Sequence, residues 1–195
     1  MKNLAVFALG LATLTGSPSY AKSPTVLGIA LDAPISIPQC DGSLINVTRE
    51  CWYKDRIEQE NNYISDVRKN QTYLVAFPIS GEGKPNFLKD AVIYTDDQGI
   101  VVWIDIFTHG IDVQSDAQKA LLEKFGQPRS QARTPLQNRF GAKFSSIEEE
   151  WRVGDTTINF DGVRSSLDEG EISIITDRGK KVRALIYPPK NNNKL

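Results

Sequence analysis

Histidine and cysteine are nearly absent from this chain: one histidine and two cysteines in 195 residues. His109 alone cannot supply the imidazole cluster of a typical zinc or non-haem iron site. Cys40 and Cys51 are too far apart in sequence for a Cys-x-x-Cys redox or metal pair. There is no Gly-rich phosphate loop and no Gly-x-Ser-x-Gly elbow. No Asp/Asn alternation ends in the Glu that a calcium loop needs. The sequence therefore predicts no cofactor and no metal. Charge of one sign is also lacking, with 23 Lys and Arg against 24 Asp and Glu. No basic stripe is long enough to track a phosphate backbone, so a nucleic-acid partner is not expected. Two local basic groupings read as solvated surface: Arg129, Arg133, Arg139 and Lys143, then Arg178, Lys180, Lys181 and Arg183.

Only the start of the chain carries a long apolar run. Lys2 precedes an almost uninterrupted apolar stretch over residues 4–14, Gly16 to Pro18 break it, and Ser19-Tyr20-Ala21 places small residues at −3 and −1 of a cleavage site. This is the pattern of a secretory signal peptide over residues 1–21, with an apolar core too short to anchor in a bilayer. No later stretch approaches the roughly 18 apolar residues of a transmembrane helix. The residue directly after Ala21 is Lys22 and not a cysteine, so a lipid anchor is not expected. The reading is a periplasmic or secreted protein. In that oxidising setting an even cysteine count predicts a Cys40–Cys51 disulfide.

Residues 22–195 read as a single exported α+β domain. Residues 22–71 form an irregular lobe holding the disulfide-bridged N-terminal loop, and residues 72–187 hold the sheet and helix. Strands are expected over 73–79, 91–95 and 100–107, the last two joined by the turn Asp96-Asp97-Gln98-Gly99. Val113, Ala117, Ala120, Leu121, Leu122 and Phe125 are spaced for one helical face, with Asp112 as its cap and Gly126 and Pro128 as its stop. A polar loop is expected over 127–142, then strands over 144–153, 156–161 and 171–176, with a further strand over 182–187. This order implies an antiparallel sheet with one main helix packed on a face.

Several runs carry a resemblance. Residues 27–34 followed by Pro38-Gln39-Cys40 resemble the opening of small exported bacterial proteins of unknown function. Ile106-Phe107-Thr108-His109-Gly110, the junction Lys124-Phe125-Gly126-Gln127-Pro128, and Trp151 ahead of Ile158-Asn159-Phe160 resemble the same group. In architecture the chain is also similar to β-lactamase-inhibitor-like and outer-membrane-assembly lipoprotein domains, which implies action by protein binding. It departs from these in lacking a lipidated cysteine.

Catalytic candidates are few. His109 ends a strand, where loops expose functional groups, and Asp105 or Asp112 is the nearest carboxylate to work with it. Glu148-Glu149-Glu150 alternates along a strand, so Glu148 and Glu150 face solvent while Glu149 points inward with Ile147 and Trp151. Trp103 reads as core. Trp52 and Tyr53 beside the bridge, with Tyr63, are the binding candidates, since such aromatics concentrate at interface centres. The leading expectation is a non-catalytic binding module for another envelope or extracellular protein. An exported hydrolase using His109 and a structural subunit of an envelope assembly are the alternatives.

Overall fold

A buried apolar ladder of alternating residues organises the computed structural model, which describes residues 24–41, 49–54, 72–77 and 84–188. Residues 1–21, where a signal peptide is expected, and the polar stretch over 56–71 with Tyr63 lie outside the described residues. Within them the chain is an α+β fold: a mostly antiparallel sheet with two helices. A small N-terminal hairpin pairs β1 (Thr25–Val26) with β2 (Ile29–Ala30). The main sheet is built from β3 (Cys51–Lys54), β4 (Thr72–Ala76), β5 (Leu88–Thr95), β6 (Val101–Thr108), β7 (Ser130–Gln137), β8 (Lys143–Val153), β9 (Thr156–Asp161) and β10 (Gly170–Thr176). Its spatial order is β3-β4-β5-β6-β10-β9-β8-β7. The helices are α1 (Gln114–Phe125) and α2 (Asp177–Ile186).

Strand period assigns each residue to a side of the sheet. Ala91, Ile93, Ile104, Ile106, Ile172, Ile174, Ile158, Phe160, Ile147 and Trp151 form the main apolar cluster. Ala117 and Leu121 of α1 belong to it, as do Val26, Ile29 and Leu31 from the N-terminal segment. A smaller cluster joins Val92, Tyr94, Trp103 and Ile175 to Val182 and Ile186 of α2.

Two elements differ from their sequence expectation. The polar stretch over 127–142 contains the edge strand β7, nearly all of it exposed. Composition hides it, because an edge strand on a polar surface needs no apolar alternation. Pro135 fits there: the hairpin bond from Asn138 N to Ala142 O (3.0 Å) sets the alternation, and Pro135 then turns its nitrogen away from β8. The expected strand over 182–187 is instead the second half of α2 and its C-cap. Thr176 caps this helix, its hydroxyl accepting from Gly179 N at 2.9 Å, and Val182 and Ile186 are spaced for one face. Gly179 is required in the first turn, since a Cβ there would stand 2.2 Å from Val102 O. Asp112 also departs from expectation. It lies in a 3-10 turn (Gly110–Asp112), and Val113 takes the cap position of α1 without a side-chain bond.

The other sheet edge is covered. Trp52 N donates to Pro38 O and Cys40 N donates to Trp52 O, both at 2.9 Å, so the strap over 38–40 occupies the outer edge of β3. The Cys40–Cys51 disulfide, Cα–Cα 5.0 Å, fastens that strap to the strand. Replacing both cysteines by serine is expected to lower stability by roughly 3 kcal/mol, the chain-entropy value for so short a loop. Guanidinium unfolding of the double variant beside the oxidised chain checks this.

Candidate functional site

One side of the sheet carries most of its acidic residues in register. Asp90 stands opposite Phe107, Phe107 opposite Glu171, Glu171 opposite Asp161, and Asp161 opposite Glu148. The adjacent row runs through Tyr53, Leu74, Val92, Asp105, Ser173, Asn159 and Glu150. A third row holds Tyr94, Trp103 and Ile175, the residues clustered with α2. Five strands thus bring six carboxylates to one face around a half-buried Phe107. Like charges directly across a strand pair oppose sheet formation. The row Glu171–Asp161–Glu148 is therefore a cost that the fold alone does not require.

The electrostatics follow from crowding and burial. Asp105 is 4% exposed, and burial pushes its carboxyl up to about 7. Hydrogen bonds with Ser173 and the Trp103 indole oppose that rise, while nearby Glu171 adds to it. Trp103 Nε1 donates to Asp105 Oδ1 at 2.6 Å and to Ser173 Oγ at 3.0 Å. The indole is itself fixed by Tyr94, stacked at 3.8 Å, and by the Arg183 guanidinium 5.3 Å above its ring. Partial burial and then the neighbouring Glu148 raise Asp161. Glu171 is raised chiefly by burial, against the pull of Arg164. Arg164 Nε meets Glu171 Oε2 at 2.7 Å, and its guanidinium lies 5.9 Å from the Phe107 ring centre.

His109 is exposed just past β6, its backbone N–H held by Phe87 O at 3.2 Å. Asp112 is exposed in the 3-10 turn. Asp105 is sequestered in the sheet by the indole of its own strand. Among the described residues, no group of three or more His, Cys, Asp or Glu is placed to hold a metal ion. Glu149 points inward as its alternation demands, 4% exposed, its Oε1 accepting from Gln118 and Gln131 at 2.6 Å each. Trp52 and Tyr53 are neighbours in one strand and so face opposite sides. Tyr53 joins the acidic side, whereas Trp52 meets Tyr73 edge-on at 5.1 Å. The sequence reading named Asp105 only as a carboxylate partner for His109 and missed Asp161, Glu171 and Arg164 as its companions. Each strand shows only ordinary alternation, and their convergence comes from register across β8, β9, β10 and β6.

No family model matches the chain, and no curated protein matches it. A crystal structure of a DUF4309 family protein (YjgB) from Bacillus subtilis subsp. subtilis str. 168 is similar over 49% of this chain and 68% of that chain, at 12% identity and a TM-score of 0.27. Likeness at that level carries no argument about this chain, and none of these comparisons supports the resemblances read from the sequence.

Proposed function

We propose that the chain is exported and works as a non-catalytic binding module, taking a positively charged segment of another envelope or extracellular protein on its acidic sheet face. The observation behind this reading is the in-register row Glu171–Asp161–Glu148 around Phe107. Such a row is unfavourable to the free fold and favourable to a cationic guest, which relieves the repulsion as it binds. Phe107 supplies apolar and cation–π contact at the centre, and Tyr53 extends the aromatic surface along the next row. The disulfide strap fixes the strand that presents Tyr53. Trp52 and Tyr63 complete the expected binding set, Trp52 acting by holding that strand against Tyr73.

The experiment is capture of the partner by the processed chain, followed by titration of the purified pair. Glu148→Lys combined with Asp161→Lys is expected to weaken binding at least tenfold, since close charge pairs contribute kilocalories at such contacts. His109→Ala is expected to leave it unchanged. Binding should strengthen from pH 5 to pH 8, because Asp105, Asp161 and Glu171 all lose their protons later than ordinary carboxyls. Undiminished binding by the charge-reversed variant would overturn this assignment. A hydrolytic activity lost in His109→Ala would favour the enzyme instead.

A further inference from the structure

The β7–β8 pair runs past the body of the sheet. β9 pairs with β8 only from Glu148 onward, while β7 stays paired with β8 out to Gln137 opposite Lys143. Gly162 N donates to Ile147 O at 2.7 Å and Val163 N to Ser146 Oγ at 3.0 Å, so the body reaches one step further and residues 135–145 form a two-stranded arm. Its base is pinned by Gln114 of α1, whose side chain donates to Ser145 O at 2.9 Å and accepts from Ile147 N at 3.0 Å. Its tip is preorganised: Asn138 Oδ1 accepts from both Phe140 N and Ala142 N at 3.0 Å.

That tip holds Phe140, which is 82% exposed, with the Arg139 guanidinium 5.0 Å from its ring centre. Between Arg129 and Ile147 the sequence contains Arg129, Arg133, Arg139 and Lys143 and no acidic residue at all. Arg129 reaches Glu150 at 3.9 Å. Arg133, opposite Ile147 beside the base of the arm, and Lys143 are exposed and share one face by register. The rest of the chain is net negative, so basic charge and the most exposed aromatic ring among the described residues are concentrated at one projecting end.

We propose that this arm docks the protein on an anionic phospholipid bilayer. Phe140 enters the boundary between headgroups and acyl chains, Arg139 and Lys143 lie against lipid phosphates, and Arg133 adds attraction from the base of the arm. Arg139 is suited to this, because its stem follows the ring while its guanidinium stays at the phosphate level. Size decides between a bilayer and a protein as the occupant. A stable protein interface covers about 800 Å² on each partner, which a hairpin tip does not offer. A bilayer presents a continuous anionic plane that meets one inserted ring and its basic collar together. The acidic remainder of the chain is repelled by the same plane, which orients the molecule arm-first.

The test is co-sedimentation of the processed chain, residues 22–195, with phosphatidylcholine vesicles with or without about 30 mol % phosphatidylglycerol at low salt. Removing the leader matters because its apolar run binds bilayers by itself. Association is expected with the anionic vesicles alone and is lost at about 0.5 M salt. Phe140→Ser should weaken partitioning roughly tenfold. Arg139→Glu with Lys143→Glu should weaken it by roughly 25-fold or more, at about fivefold for each basic side chain lost. Glu148→Lys on the sheet face should not weaken it. Arg139, Phe140 and Lys143 are solvent-exposed, and circular dichroism confirms that each variant folds. No association of the unaltered chain with anionic vesicles overturns the proposal. So does equal association with phosphatidylcholine alone, or association that both arm variants leave intact. Arm-dependent binding of an acidic protein or nucleic acid, without vesicle binding, overturns it as well.

Discussion

Replacing Asp105 by Asn is expected to make the protein more stable at pH 8 by roughly 3 kcal/mol and to leave it nearly unchanged at pH 5. In the unfolded chain this carboxyl ionises near 3.8, whereas in the folded sheet burial holds the proton to about 7. Between those values the native state binds more protons than the unfolded state, so stability falls as pH rises through the window. Above about 7 both states are ionised and the full loss is present, on the order of 4 kcal/mol from a shift of this size. Asparagine removes the titration while keeping an oxygen for the Trp103 indole, now 2.6 Å from Asp105 Oδ1, and an amide that can donate to Ser173. Urea unfolding of both proteins from pH 5 to pH 8 provides the measurement. The native chain should lose stability across the range while the variant stays flat; two parallel profiles would show that Asp105 ionises normally. Trp103 emission gives an independent readout, with a midpoint near 7 that the variant lacks.

The same residue illustrates what could be read from the sequence. Its strand, its hairpin and the side on which it stands follow from alternation and from the Asp96 turn, where Asp96 Oδ1 accepts from Gln98 N and Ile100 N at 3.0 and 2.9 Å. The inward turn of Glu149 is equally local, set by Ile147 and Trp151 two residues to either side. The companions of Asp105 are not local. Glu171 and Asp161 lie more than fifty residues away and are brought near by the pairing of β10 with β6 and β9. Nothing in their own strands sets that register apart from neighbouring ones. β7 is hidden for a related reason, being a strand by virtue of its partner β8 and not of its composition. For α2 the local signals are present and outweighed. Thr176 and Gly179 spell a capped start, but Val182, Ile186 and Tyr187 also suit a short strand.

Trp151→Ala is expected to cost about 4 kcal/mol, at the upper end of what truncating one buried side chain removes. Trp151 is 2% exposed within the main apolar cluster, beside Ile158 and Phe160 on the same side of the sheet. Its indole Nε1 also donates to Gly126 O at 2.8 Å. Gly126 is where α1 stops: its φ of 75° is open to glycine and strained for other residues, and its N–H closes the last turn onto Leu122 O at 2.9 Å. One side chain therefore fills the core and fastens the end of α1 to β8. Phenylalanine separates the two roles, keeping most of the apolar volume and losing the donor. Trp151→Phe should cost about 1–2 kcal/mol, the range for one lost hydrogen bond together with a small void. Guanidinium unfolding of both variants, with hydrogen exchange at the Leu122–Gly126 turn, resolves them. Phenylalanine as damaging as alanine would place the energy in the indole bond. Two nearly neutral substitutions would mean that α1 is held by Ala117 and Leu121 without help from this ring.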